Sequence, residues 1–227
     1  MKVCRIDRDH HLPHEMGHFR PDQTFFLLTL GSIVWLIFAP TSYGEKRENT
    51  LLNSDQIMQK FGSYGVEVLA QSSSVRLANL YSQHDQLAIC RTLAVTRFHE
   101  PTPSSLAEAD GHIRQGKSIG LTLKAAGWSV DKHVATECLA PAGKYFEALT
   151  TGTVPKGTDI TVRVYTLRAT QGEQSLDYAA IAEAYHPDHI TSERAQHCTT
   201  NTWQHLSKLE AEALSILLKS LDQNVSS

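Results

Sequence analysis

The chain has 227 residues, 41% of them hydrophobic and 20% charged, which is enough for one ordinary core and excludes a large multidomain architecture. Its formal net charge of -3 lacks the basic field that a broad nucleic-acid footprint needs, so no nucleic-acid partner is expected.

The first apolar stretch, residues 24–38 (TFFLLTLGSIVWLIF), has the length of a signal-peptide apolar region and is short for a transmembrane helix. Translation from Met16 would give it ordinary signal-peptide proportions, with Ser42-Tyr43-Gly44 before Glu45 as the best cleavage site. Residues 1–45 are therefore expected to be a signal peptide in transient membrane contact. A retained N-terminal membrane anchor is the alternative, and a buried helix is the third reading. The expected location is extracytoplasmic, in the periplasm, with residues 46–227 forming one domain.

Residues 64–70 (YGVEVLA) and 75–81 (VRLANLY) read as strands joined by a polar turn, and residues 87–98 form a third that ends before Pro101 and Pro103. Ser104 and Ser105 are placed to cap a short helix over residues 106–114. Gly116-Lys117-Ser118-Ile119-Gly120 then connects to a helix over residues 121–126 that Gly127 stops. A strand over residues 128–137, a helix near residues 144–149 and a second long hairpin, residues 160–168 and 175–185, follow. The tail, residues 191–221, reads as helix with a break near Thr199 and Thr200. Its Leu206, Leu209, Ala213, Leu214, Leu217, Leu218 and Leu221 recur at helical spacing, describing a face that packs on the core or, as the alternative, joins a homo-oligomer. The two hairpins resemble one another, VRLANLY leading to HEP and VRVYTLR leading to YHP. The sum is an α+β fold, an antiparallel sheet with its helices packed on it.

Beyond the leader stand Cys90, Cys138 and Cys198, an odd number that cannot all pair within one chain. One bridge plus a buried thiol is one solution; the plainer reading makes all three small buried hydrophobes. The histidines are scattered, and His186-Pro187-Asp188-His189 reads as a proline turn near the surface rather than a pair of ligands. No metalloprotease spacing is present, so no metal is expected. Gly116-Lys117-Ser118 lacks the preceding glycine pattern of a phosphate loop and reads as a positively charged turn.

Arg76 and Arg91 stand inside otherwise apolar strands on opposite arms of the first hairpin, and Glu183 stands in a comparable run, Ile181-Ala182-Glu183-Ala184-Tyr185. Buried guanidinium groups need carboxylate partners, so an internal Arg-Glu network is the structural reading. In the functional reading the two forked donors hold a small dianionic or aromatic carboxylate while Glu183 carries or accepts a proton.

The order of Arg76, Cys90-Arg91-Thr92, the segment GKSIGLTL at residues 116–123 and AEAYHP at residues 182–187 resembles the chorismate pyruvate-lyase family and the related ligand-sensing domains of bacterial transcription regulators. The likeness covers residues 64–190. It implies an antiparallel sheet with an enclosed ligand cavity beneath helical flaps, and pyruvate elimination from a chorismate-like acid with no metal or organic cofactor. By the same likeness, Arg76 and Arg91 would orient carboxylate and enolpyruvyl groups. Glu183 would assist proton transfer or meet the ring hydroxyl, and Leu121 and Leu123 would close the apolar part of the cavity. The sequence departs from the family at Leu77-Ala78 and Cys90, and in its leader and helical C-terminal extension. Two other classes therefore stand beside the enzyme: a non-catalytic extracytoplasmic binding module, and a structural or interaction protein built on a buried Arg-Glu network.

Overall fold

Six runs of strand-forming residues pair into one antiparallel sheet, and the helices divide between its two faces. The computed structural model describes residues 52–222; the signal peptide, the anchor alternative and the Met16 start all lie outside them. In chain order the elements are α1 (Asn53–Phe61), β1 (Gly65–Gln71), β2 (Val75–His84), β3 (Leu87–Phe98), α2 (Ala107–Arg114), α3 (Ile119–Ala125), β4 (Ser129–Pro141), α4 (Lys144–Leu149), β5 (Asp159–Gln171), β6 (Gln174–Tyr185), α5 (Thr200–Trp203) and α6 (Lys208–Leu221). The strand order is β1-β2-β3-β6-β5-β4. The two hairpins that resemble one another in sequence, β2-β3 and β5-β6, thus lie side by side, joined through the β3-β6 pair. No helix among the described residues is long and apolar enough to cross a membrane.

One face of the sheet is closed by α6. Ala213, Leu214 and Leu217 pack on Leu93, Val95, Val162, Val164, Ala182 and Ala184, all in one buried cluster, so the apolar stripe of the tail is used on its own sheet. Each fully buried leucine there is worth about 1.5–3 kcal/mol. A reciprocal capping box between Ser207 and Glu210 starts the helix. On the opposite face α2 and α3 cover Phe98, Tyr165, Leu167 and Ile181.

Two expectations need correction. Residues 191–199 are not helical: an extended strap lies along the edge strand β4, where Leu139 N–H donates to Gln196 O (2.9 Å) and Cys198 N–H donates to Leu139 O (2.9 Å). An edge strand has unpaired backbone groups, and the strap satisfies some of them, which a helix at this position would not do. The same strap brings Cys198 to Cys138 in a disulfide, leaving Cys90 as a buried free thiol, so the three cysteines are not simply small hydrophobes. Helix α1 was not anticipated. Ile57 is its only fully buried apolar residue, although Ile57, Met58 and Phe61 at helical spacing were a signal in the sequence.

The β2-β3 turn consists of Asp85 and Gln86, both left-handed, with φ of 47° and 70°. Two successive positive φ angles suit Asn-Gly and strain these residues. The Asp85→Asn, Gln86→Gly double variant is expected to gain about 1 kcal/mol, read as a higher urea midpoint at unchanged slope.

Candidate functional site

Between the sheet and the layer of α1, α2 and α3 lies a hollow of about 70 Å³. Its apolar walls are Val66, Ala78, Leu80, Ala94, Ile119, Leu167 and Ile181, and its polar lining includes Arg76, Glu183, Lys132, Tyr64, Ser118 and Asn53. The regular alternation of strands explains the set: Arg76 pairs with Thr96, Thr96 with Ile181 and Ala94 with Glu183, so these side chains share one face. Arg76 and Glu183 lie two strands and two residues apart, roughly 12 Å between their backbones at about 4.8 Å per strand and 3.3 Å per residue.

At one end, Arg76 is almost wholly buried and donates to three carbonyls at the end of α2 and the connection to α3: Ile113 O (3.2 Å) and Lys117 O (2.9 Å) from Nη1, and Gly116 O (3.2 Å) from Nη2. The guanidinium thus completes a helix C-terminus, where a cation is favoured. Its Nε is buried and has no partner. Burial pulls its pKa down against the opposing pull of Tyr64 and Tyr178, yet a guanidinium stays charged. Beside it, Tyr64 OH donates to Ser118 Oγ at 3.2 Å.

At the other end, Glu183 accepts from Asn53 Nδ2 (3.0 Å) at Oε1 and from Tyr185 OH (2.5 Å) at Oε2, while Lys132 Nζ lies 3.5 Å from Oε2. Burial alone would raise its pKa. Lys132, with hydrogen bonds from Tyr185, Asn53 and Tyr165, outweighs that and holds it below the ordinary carboxylate value. Burial and the neighbouring carboxylate push both phenols, Tyr165 and Tyr185, well up, so they remain protonated donors. Lys132 also stands over the Tyr165 ring, 4.6 Å from its centroid.

Arg91 is placed elsewhere. Leu80 pairs with Thr92 and Tyr81 with Cys90, which makes Arg91 the extra residue of a β-bulge. It donates from Nε to Ser82 Oγ (2.8 Å) and lies over the Phe61 ring at 3.9 Å, outside the lining of the hollow. Five residues along β3 separate it from the rung of Arg76, roughly 16 Å at 3.3 Å per residue. The two arginines therefore do not meet over one carboxylate here, and among the described residues neither pairs with Glu183, whose ion-pair partner is Lys132. Leu123 is fully buried in the core beneath α3, and Leu121 is exposed, lining an outer groove between α3 and β1. Neither lines the hollow. Tyr64, Val66 and Ser118 line both the groove and the hollow, so the groove adjoins its mouth.

Four partners of Glu183, Lys132, Asn53, Tyr185 and Tyr165, escaped the sequence reading. Lys132 sits in the polar run Ser129-Val130-Asp131-Lys132-His133, which resembles a solvated edge, and Asn53 belongs to the unannounced α1. Tyr185 lies in the AEAYHP segment itself, two residues from Glu183 and on the same strand face, a signal that was available. His186 and His189 are buried rather than near the surface. Among the described residues no group of three or more His, Cys, Asp or Glu side chains is placed to hold a metal ion.

No protein-family model matches this chain, and no curated protein matches it.

Proposed function

We propose that the protein binds a small aromatic hydroxy-acid in the hollow, as a chorismate lyase-like ligand-binding module acting outside the cytoplasm. The observation that carries this reading is the polarity of the hollow: the Arg76 side chain at one end, an ionised Glu183 at the other, and apolar walls between them. A ligand carboxylate is matched in charge by the Arg76 end of the hollow, with Ser118 and Tyr64 beside it, and a ring hydroxyl is matched by Glu183 as acceptor. Arg76, Lys132 and Glu183 sum to one net positive charge, which matches a monoanion. A dianion such as chorismate would leave one negative charge buried without a partner, and Arg91 lies too far away to supply it. Binding is therefore favoured over pyruvate elimination.

The hollow, about 70 Å³, is smaller than the ~150 Å³ cavity that accepts a benzene. A ring therefore requires the hollow to widen, and the groove that shares Tyr64, Val66 and Ser118 with it is the natural way in. The Cys138-Cys198 disulfide supports an oxidising compartment and hence the exported location.

Calorimetry with 4-hydroxybenzoate, benzoate and chorismate tests the reading. Saturable binding of 4-hydroxybenzoate is expected, weakened at least about tenfold in Glu183→Gln through loss of a charged acceptor and unchanged in Arg91→Ala. Benzoate and chorismate are expected to bind more weakly. Tighter binding of chorismate, followed by its turnover, would restore the lyase reading; no binding of any of the three by folded protein would remove the aromatic-acid assignment.

A further inference from the structure

Asn53 is the hinge of a buried polar chain that the proposed ligand site does not explain. Its Nδ2 donates to Glu183 Oε1 and to Thr92 Oγ1, each at 3.0 Å, and its Oδ1 lies 2.6 Å from His189 Nε2. Asn53, Thr92, Glu183 and His189 are all buried. An amide can face Glu183 in two ways, with very different consequences. An ionised carboxylate only accepts, so the nitrogen must point toward it, and the oxygen is left to find a donor elsewhere.

His189 supplies that donor at 2.6 Å, where Thr92 Oγ1 offers only a longer one at 3.5 Å. Its ring is wedged edge-on against Phe61 of α1 and Tyr185 of β6, with centroids 5.9 Å from each. The His189 backbone N–H donates to His186 O at 2.8 Å, and Lys60 Nζ reaches the His189 backbone carbonyl at 3.4 Å. Nε2 lies 2.6 Å from an amide oxygen that can only accept, while Nδ1 is buried with no partner, so the proton belongs on Nε2. Burial, opposed by Glu183, brings the pKa down to about 4, so the ring is neutral at ordinary pH and carries one proton to place.

We propose that His189 is a positioning residue: its Nε2–H fixes the amide of Asn53 so that the nitrogen faces Glu183, keeping the acceptor end of the hollow ionised and aimed. The inference deepens the ligand reading above and rests on it for its functional meaning. Without the imidazole proton the amide oxygen keeps only the 3.5 Å contact from Thr92 Oγ1, so the amide loses its close anchor and its nitrogen is held less firmly on Glu183.

Nitrogen-15 NMR of the wild-type protein shows which ring nitrogen carries the proton. Nε2–H is expected, and an Nδ1–H tautomer would overturn the proposal without any variant. The second measurement follows the Glu183 carboxyl by carbon-13 NMR through a pH titration of ligand-free protein. In His189→Phe the carboxyl is expected to titrate at higher pH, and 4-hydroxybenzoate affinity to fall roughly tenfold or more. His189→Gln, whose side-chain amide replaces Nε2–H, should restore both, a rescue that a space-filling role would not give. A folded His189→Phe protein whose Glu183 titrates as in the wild type would also overturn it. The titration is independent of the ligand. A shifted Glu183 with no 4-hydroxybenzoate binding in the wild type would leave the positioning role standing and remove the ligand assignment.

Discussion

Lys132→Met is expected to destabilise the protein by about 3–5 kcal/mol at neutral pH, the usual cost of leaving one member of a buried ion pair without its partner. Both side chains are nearly inaccessible, 8% for Lys132 and 4% for Glu183, so solvent screening does little to reduce the effect. The pH dependence identifies the cause. In the wild type the pKa of Glu183 is depressed below its ordinary 4.5. Its contribution to stability is therefore fully present above that value and is lost as pH falls through the lower, folded one. In the variant, burial is no longer opposed by a counter-charge and the folded pKa rises. The deficit then grows as pH climbs from 4.5 through the raised value, and shrinks in acid, where the carboxyl is protonated in both folded and unfolded chains. Urea unfolding at about pH 4 and about pH 7 measures the difference. An equal deficit at both would show that the methionine disturbs packing and that the pair contributes little.

Removing the disulfide should have a comparable effect through a different mechanism. Cys138 and Cys198 are separated by 60 residues, and closing a loop of that length lowers the entropy of the unfolded chain by an amount worth about 4 kcal/mol in the chain-entropy treatment. The Cys138→Ser, Cys198→Ser double variant is expected to lose most of this, seen as a lower urea midpoint. Dithiothreitol should bring the wild type to the same midpoint and leave the variant where it is. Cys90 does not complicate the comparison: its thiol is fully buried and burial pushes its pKa up, so the thiolate needed for exchange is suppressed. If the variant and wild type unfold together, the strap is held by its backbone hydrogen bonds to Leu139 and the cross-link is redundant.

Much of the fold was legible in the sequence. All six strands fall where alternating apolar residues and turn signals place them, and the internal likeness of the two hairpins is matched by their adjacent positions in the sheet. The helical tail was legible from Thr200 onward apart from its break, which falls at residues 204–207 between α5 and α6 and not at Thr199 and Thr200. Residues 191–199 contain no pattern of their own that distinguishes helix from strap; what decides is the open edge of β4, a partner distant in sequence.

The candidate site divides in the same manner. Arg76 and Glu183 could be singled out because a charge within an apolar strand is costly unless something answers it. What answers it was not legible. Arg76 meets backbone carbonyls of a helix end, which have no side-chain signature, and Glu183 meets a lysine from an edge strand that looks solvated in sequence. Arg91 satisfied the same criterion as Arg76, yet one bulged residue after Cys90 fixed where it lies.

Local periodicity and the cost of burying a charge were enough to place the strands, the hairpins, the sheet-covering face of α6 and two of the charged residues that line the hollow. The tertiary structure alone decided the disulfide, the separation of the arginines, the partners Lys132 and Asn53, and the existence of the hollow. Those depend on strand register and on contacts between residues far apart in the chain, and a shift of one position in register would send every side chain of a strand to the other face.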